Sequence, residues 1–131
     1  MSADAHALLI VTLPVGQLQT NCYLAADRKT GEAMVVDPGA ESERILAELG
    51  KLDVDRSAAW VKYVVNTHAH FDHVHANGPL LAKLRAEQEA APQLVAHADA
   101  LPLLAQGGGA ALFGFRAVPS PEPDRIVGER D

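Results

Sequence analysis

The sequence predicts an α/β fold, and three observations carry that expectation. Short apolar runs bounded by turn residues alternate with segments of helical period, in the order β-β-β-α-β-α-β-α. The length, 131 residues with 48% hydrophobic and 21% charged, is that of one globular domain. A dense His/Asp cluster, His68-Ala69-His70-Phe71-Asp72-His73, falls between a Val-rich run and a helix start.

Three strands come first. Leu8–Leu13 is apolar and β-branched, and Pro14 with Gly16 punctuates it. Asn21–Ala26 and Glu32–Asp37 flank the polar turn Asp27–Gly31, which predicts a hairpin, and Pro38-Gly39 stops the third strand. Ile45, Leu46, Leu49 and Leu52 then recur at helical spacing opposite Glu41, Glu43, Arg44, Glu48 and Lys51. The acidic residues sit early and Lys51 late, as the helix dipole favours. Trp60–Asn66 predicts a buried strand ending at Thr67.

Beyond the cluster, Asn77-Gly78-Pro79 predicts a helix start, with Asn77 as the cap and Pro79 in the first turn. Leu80, Leu81 and Leu84 supply its apolar stripe, and Pro92 is the expected end. Gln93–His97 reads as a strand and Ala98–Leu104 as a short helix. From the Gly107-Gly108-Gly109 triplet onward the pattern dissolves. The closing Asp124–Asp131 is polar, lacks a stop signal and reads as an element cut short.

Bulk properties narrow the function. A formal charge of −6 and the lack of any Lys/Arg run argue against a nucleic-acid surface. Ala7–Leu13 is too short to span a bilayer, and the residues before it lack the positive n-region of a signal peptide. The expectation is a cytoplasmic protein with no membrane partner. Cys22 is the only cysteine, so neither an internal disulfide nor a multi-cysteine metal site is available.

His68 and His70 are two apart, so in an extended segment both imidazoles point to one side and can reach one cation. Asp72 and His73 follow where the chain must turn, and that turn can aim them at a second cation. Imidazole with carboxylate suits zinc, and also iron or manganese. Two such ions about 3.5–4 Å apart make a nucleophile from water at neutral pH.

His68-x-His70-x-Asp72-His73 after a Val-rich strand resembles the signature of the metallo-β-lactamase superfamily. The stretch Pro14-Val15-Gly16-Gln17-Leu18-Gln19-Thr20-Asn21-Cys22-Tyr23-Leu24, with Val35-Val36-Asp37-Pro38-Gly39, resembles its glyoxalase II-like branch. The resemblance covers essentially the whole chain. It implies an αββα sandwich, of which residues 1–131 supply roughly the N-terminal half. It implies that His68 and His70 bind one metal and Asp72 and His73 a second, with Asp72 also serving catalysis. Asp37 would orient a ligand imidazole from behind; otherwise Asp37 is a plain Asp-Pro-Gly turn. The activity implied is a metal-dependent hydrolase of the hydroxyacylglutathione hydrolase type, with two zinc ions and a small thioester substrate. Lactonase, nuclease and iron-dependent thiol-oxidising activities also occur among such proteins.

Two departures matter. His75-Ala76 stand where that superfamily usually has Gly-Gly or Gly-Ala. His75 reads as an exposed helix-entry residue or as an extra polar group at the site mouth. The later ligands of the superfamily have no counterpart here, since only His75 and His97 follow His73, and His97 reads as structural. Two other readings therefore stand beside the enzyme: a non-catalytic fragment that binds metal weakly, and a β-sheet protein with incidental histidines. A half-sandwich would leave one sheet face open to self-association, with Val35, Tyr63 and Val65 as candidates for that face.

Overall fold

The computed structural model describes residues 8–54, 60–116 and 120–128. Within them one sheet runs in chain order: β1 (Leu8–Val15), β2 (Thr20–Asp27), β3 (Glu32–Val36), β4 (Trp60–Val65), β5 (Gln93–His97) and β6 (Arg125–Val127). The first three strands are antiparallel, and β3 through β6 are parallel. Helix α1 (Ser42–Gly50) links β3 to β4; the single turn α2 (Phe71–Val74) and α3 (Asn77–Glu87) link β4 to β5. Two 3₁₀ segments, Ala98–Ala100 and Gly107–Phe113, flank α4 (Leu101–Ala105) before β6.

Turn chemistry makes the antiparallel half. Asp27 accepts the Gly31 N–H on its carbonyl at 2.8 Å and the Lys29 N–H on its carboxylate at 2.9 Å. Gly31 takes φ +77°, which closes the hairpin. The parallel half needs crossovers, and α1 and α3 provide them while shielding one sheet face. Leu24, Val35, Val64 and Leu94 from the strands meet Ile45, Leu80 and Leu81 from the helices, all at 0% exposure. Each such side chain contributes about 1.5–3 kcal/mol by leaving water.

The other sheet face is open. Ile10, Ala25, Met34 and Tyr63 form one cross-strand row there, and Ile10 is 59% exposed. Tyr63 and Val65 share this face, half-buried. Val35 does not: side chains alternate along a strand, and with Met34 on the open face Val35 points under the helices.

Several local expectations are corrected. Asn77 is not the cap of α3, a place taken by Ala76, whose side chain makes no capping bond. Asn77 is instead fully buried; its amide exchanges hydrogen bonds with Asn66 at 2.8 and 3.1 Å and donates to Ser120 Oγ at 2.9 Å. That network ties the end of β4 to the first turn of α3. The helix ends at Glu87, ahead of Pro92, because Gln88 swings out to pair with both backbone groups of Val61. The region read as patternless holds the Gly107–Phe113 segment and β6. Asp124 anchors β6, donating its N–H to Leu94 O and accepting the Leu94 N–H, both at 2.8 Å. Part of the closing segment, 129–131, lies outside the described residues. Among the described residues no helix is long and apolar enough to cross a membrane.

Cys22 tests the packing. Burial, and then the negative charge of Asp37, push its thiol up to about 12, so it stays protonated through the physiological range. A thiol-reactive chromophore should label it only after denaturation. Stoichiometric labelling of the native protein within minutes would contradict this burial.

Candidate metal centre

The site forms where three parallel strands end. Asp37 follows β3, Thr67 to His73 follow β4, and His97 closes β5, so all sit at the carboxyl edge of the parallel half. Open α/β sheets place ligands at that edge, because the loops there diverge.

Asp37 is buried, 3% exposed, in a left-handed conformation at φ +54°. Its N–H donates to Val65 O at 2.9 Å, locking β3 to β4. Its carboxylate accepts the Thr67 N–H at 2.7 Å and the Thr67 hydroxyl at 2.5 Å, and lies 3.0 Å from His73 Nδ1. Three contacts on one buried carboxylate make more than a plain turn. With Nδ1 engaged, His73 presents Nε2, which stands 3.5 Å from Asp72 Oδ2.

His68 and His70 form the second pair. Their Nδ1 atoms are 3.0 Å apart, and the His70 N–H donates to His68 Nδ1 at 3.2 Å. The ring of His68 lies 3.8 Å, centroid to centroid, from that of His73, so the two pairs adjoin. Burial first, and then the neighbouring His73, hold His68 below the ordinary imidazole range against the opposing pull of Asp37 and Asp72. The neutral ring that a metal requires is thereby favoured.

The donors fit a metal in kind and in spacing. Two metal–ligand bonds of about 2.0–2.1 Å at a tetrahedral angle subtend roughly 3.3 Å. The His68/His70 pair at 3.0 Å and the His73/Asp72 pair at 3.5 Å bracket that value. Among the described residues, however, no three His, Cys, Asp or Glu side chains converge as one cation cage. The chain brings together two pairs of donors.

His97 stays apart in role: its Nδ1 accepts the Asp99 N–H at 3.1 Å and caps the following 3₁₀ turn. His75 is not the exposed residue expected. It is half-buried, its Nε2 has no hydrogen-bond partner among the described residues, and its ring meets Phe71 edge-on at 5.8 Å. With Val15, Leu18, Phe71, Phe115 and Asp72 it lines a cavity of about 200 Å³.

Two glycines clamp the loop that carries the donors. A Cβ on Gly39 would come within 1.7 Å of Asp72 O, and one on Gly108 within 2.3 Å of Phe71 N. Sequence reasoning passed over Gly108, Thr67 and Thr20. The glycine triplet was the available signal, but it reads equally as a loop. The clamp is testable because Gly108 and Gly109 share a left-handed φ, +71° and +78°, while a Cβ on Gly109 meets nothing closer than Leu103 at 3.7 Å. Gly109→Ala should cost about 1 kcal/mol from backbone conformation alone. Gly108→Ala should cost about 1–3 kcal/mol more, from overpacking. Equal costs in urea unfolding would dismiss the clamp.

Comparison with known proteins places the chain. The profile of the metallo-beta-lactamase superfamily matches residues 15–127. A protein of Aquifex aeolicus described as uncharacterized is 36% identical over 126 residues, 95% of this chain and 53% of its own length. The chain thus spans about half the length of that relative. A probable polyketide biosynthesis zinc-dependent hydrolase, BaeB of Bacillus velezensis, is 44% identical over 45% of this chain and 24% of its own. Hydroxyacylglutathione hydrolase GloC of Haemophilus influenzae is 37% identical over 51% of this chain and 29% of its own. Among solved structures, the di-iron-bound form of TTHA1623 superposes with a TM-score of 0.71 at 29% identity, over 91% of this chain and 54% of that one. The BLEG-1 B3 metallo-beta-lactamase superposes at 0.74 with 23% identity, over 92% and 54% respectively, which speaks to fold alone. The match over 113 of 131 positions, on a sheet with its helices on one face, makes this chain a member of the metallo-beta-lactamase superfamily.

Proposed function

We propose that the protein is a metal-dependent hydrolase acting on small thioesters, of the hydroxyacylglutathione hydrolase type. The observation that carries the hydrolase reading is the paired donor set, His68 with His70 and His73 with Asp72, backed by Asp37 on His73. The thioester reading draws on the likeness to a hydroxyacylglutathione hydrolase over half of this chain. Zinc is the first candidate metal, since one similar protein is described as a zinc-dependent hydrolase. Iron is the second, since one similar structure is di-iron-bound.

His68 and His70 would hold one ion, His73 and Asp72 the other. When bound, such ions supply Lewis acidity and lower the pKa of water. The chain's own residues do the rest. Asp37 fixes the tautomer and aim of His73. The cavity of about 200 Å³ beside Asp72, with Val15, Leu18, Phe71 and Phe115 in its wall, is the candidate seat of an acyl group.

A zinc-loaded preparation of the full-length protein should hydrolyse glutathione thioesters faster than β-lactams or RNA in a side-by-side assay. Asp72→Ala should lower the rate on the thioester by at least about 10²-fold, as loss of rigid metal placement does. A ranking with RNA or a β-lactam first would overturn the substrate, and a metal-free protein with full activity would overturn the mechanism.

Residues 1–131 alone invite a second expectation. Two donors per ion are fewer than the three or four protein ligands of ordinary zinc sites. This segment by itself should therefore hydrolyse little, and its open sheet face, with Leu8 60% and Ile10 59% exposed, should draw copies together. Size-exclusion chromatography at rising concentration should show the association, whereas a monomer with ordinary turnover would refute both statements.

A further inference from the structure

We propose that Thr20 is a positioning residue for Asp72, delivered to it by a β1–β2 turn that Glu41 locks. The proposal deepens the metal-centre reading above and rests on it.

The Thr20 hydroxyl donates to Asp72 Oδ2 at 2.9 Å, a half-buried bond between residues 52 positions apart. Asp72 lies in the first turn of a four-residue helix. A ligating carboxylate needs its outer hydrogen bonds to hold its orientation, and those partners matter to affinity nearly as much as the ligands. Among the described residues the Thr20 hydroxyl is the one such partner of Asp72; His73 Nε2, 3.5 Å away, is the other donor toward the ion. Thr20 suits the task because its branched β-carbon restricts χ1.

Thr20 is in turn held from two sides. It opens β2 directly opposite Val15, which is 1% exposed and packed in the core. Between them lies a turn with two left-handed residues, Gly16 at φ +73° and Gln19 at φ +51°. Gln19 closes it, donating its N–H to Gly16 O at 3.1 Å and its side-chain amide to the same oxygen at 2.8 Å. The Gly16 N–H donates to the Glu41 carboxylate at 2.8 Å, and Arg44, which donates to Pro14 O at 2.6 Å, pairs with Glu41 at 3.6 Å. Glu41 itself is left-handed, φ +56°, a conformation costly for a residue with a β-carbon. As the residue before α1 it makes no side-chain capping bond; its carboxylate serves the turn instead. The strain thus buttresses a hairpin whose last residue reaches the metal-binding carboxylate.

The test is metal affinity, read by competition of Zn²⁺ against a chromophoric chelator, with the melting temperature of the metal-free protein as control. Thr20→Val keeps the shape and removes the hydroxyl. It should weaken the second ion by about 10–100-fold and leave the first and the metal-free melting temperature unchanged. Thr20→Ser should keep most of the affinity, and Thr20→Ala should behave like Thr20→Val. Should Thr20→Val fail to fold, the Ser/Ala pair decides alone. Equal second-ion affinity in the Ser and Ala variants overturns the positioning role while leaving the metal centre intact. Failure of the parent protein to bind a second ion overturns the metal-centre reading and the proposal with it.

Discussion

The Asp37 carboxylate is the interaction on which the rest depends. It sits where β3 gives way to Pro38-Gly39, and it joins three pieces of chain: its own strand, Thr67 just past β4, and His73 in the single turn α2. Remove it and the Thr67 N–H loses its partner and His73 Nδ1 is no longer directed. A donor left unpaired in this way costs about 1–3 kcal/mol. The next residues continue the work. Pro38 O accepts the Ala76 N–H at 2.9 Å, and the bare α-carbon of Gly39 lies against the Asp72 carbonyl. An Asp-Pro-Gly that would serve elsewhere as a turn is here the seat of the donor loop.

Around that seat the loop is held by backbone contact more than by side-chain bulk. Gly39 supports it at Asp72 and Gly108 supports it at Phe71, from segments far apart in the chain. Such close approaches are open only to glycine, so the loop's path is fixed by what is missing from its neighbours. The helices that bury the sheet complete the frame: Glu41, just before α1, and Arg44 within it reach the β1–β2 turn, and Asn77, at the start of α3, holds Asn66 at the end of β4. Stability and site geometry thereby share the same contacts.

Much of this was legible in the sequence. Apolar runs bounded by turn residues place β1 through β5, and the helical period places α1 and α3. The His/Asp cluster announces its chemistry because imidazoles two apart on an extended segment face one way. What escaped reading depends on tertiary partners. Asn77 looks like a cap from its neighbours but is buried against Asn66, and Gln88 leaves the helix for a strand edge that lies 27 residues away in sequence. Gly108 and β6 sit in a stretch of Gly and Pro whose local signal is only flexibility. Val35, a candidate for the open face, lies on the other one; the run Ala33–Val36 carries no polar alternation to orient it. Thr20 and Thr67 show no periodic signal at all, since their value lies in hydrogen bonds to carboxylates distant in sequence, one from Thr20 and two from Thr67.

His68 with His70 and His73 with Asp72 are proposed as two adjoining donor pairs for metal ions. The most direct measurement is an anomalous-difference map from zinc-soaked crystals, recorded on either side of the zinc absorption edge. Zinc peaks are expected within bonding distance of His68, His70, Asp72 and His73, with Asp37 behind His73 and bound to no ion. Zinc found only at His97 or at surface carboxylates, with the cluster at 68–73 empty, would contradict this.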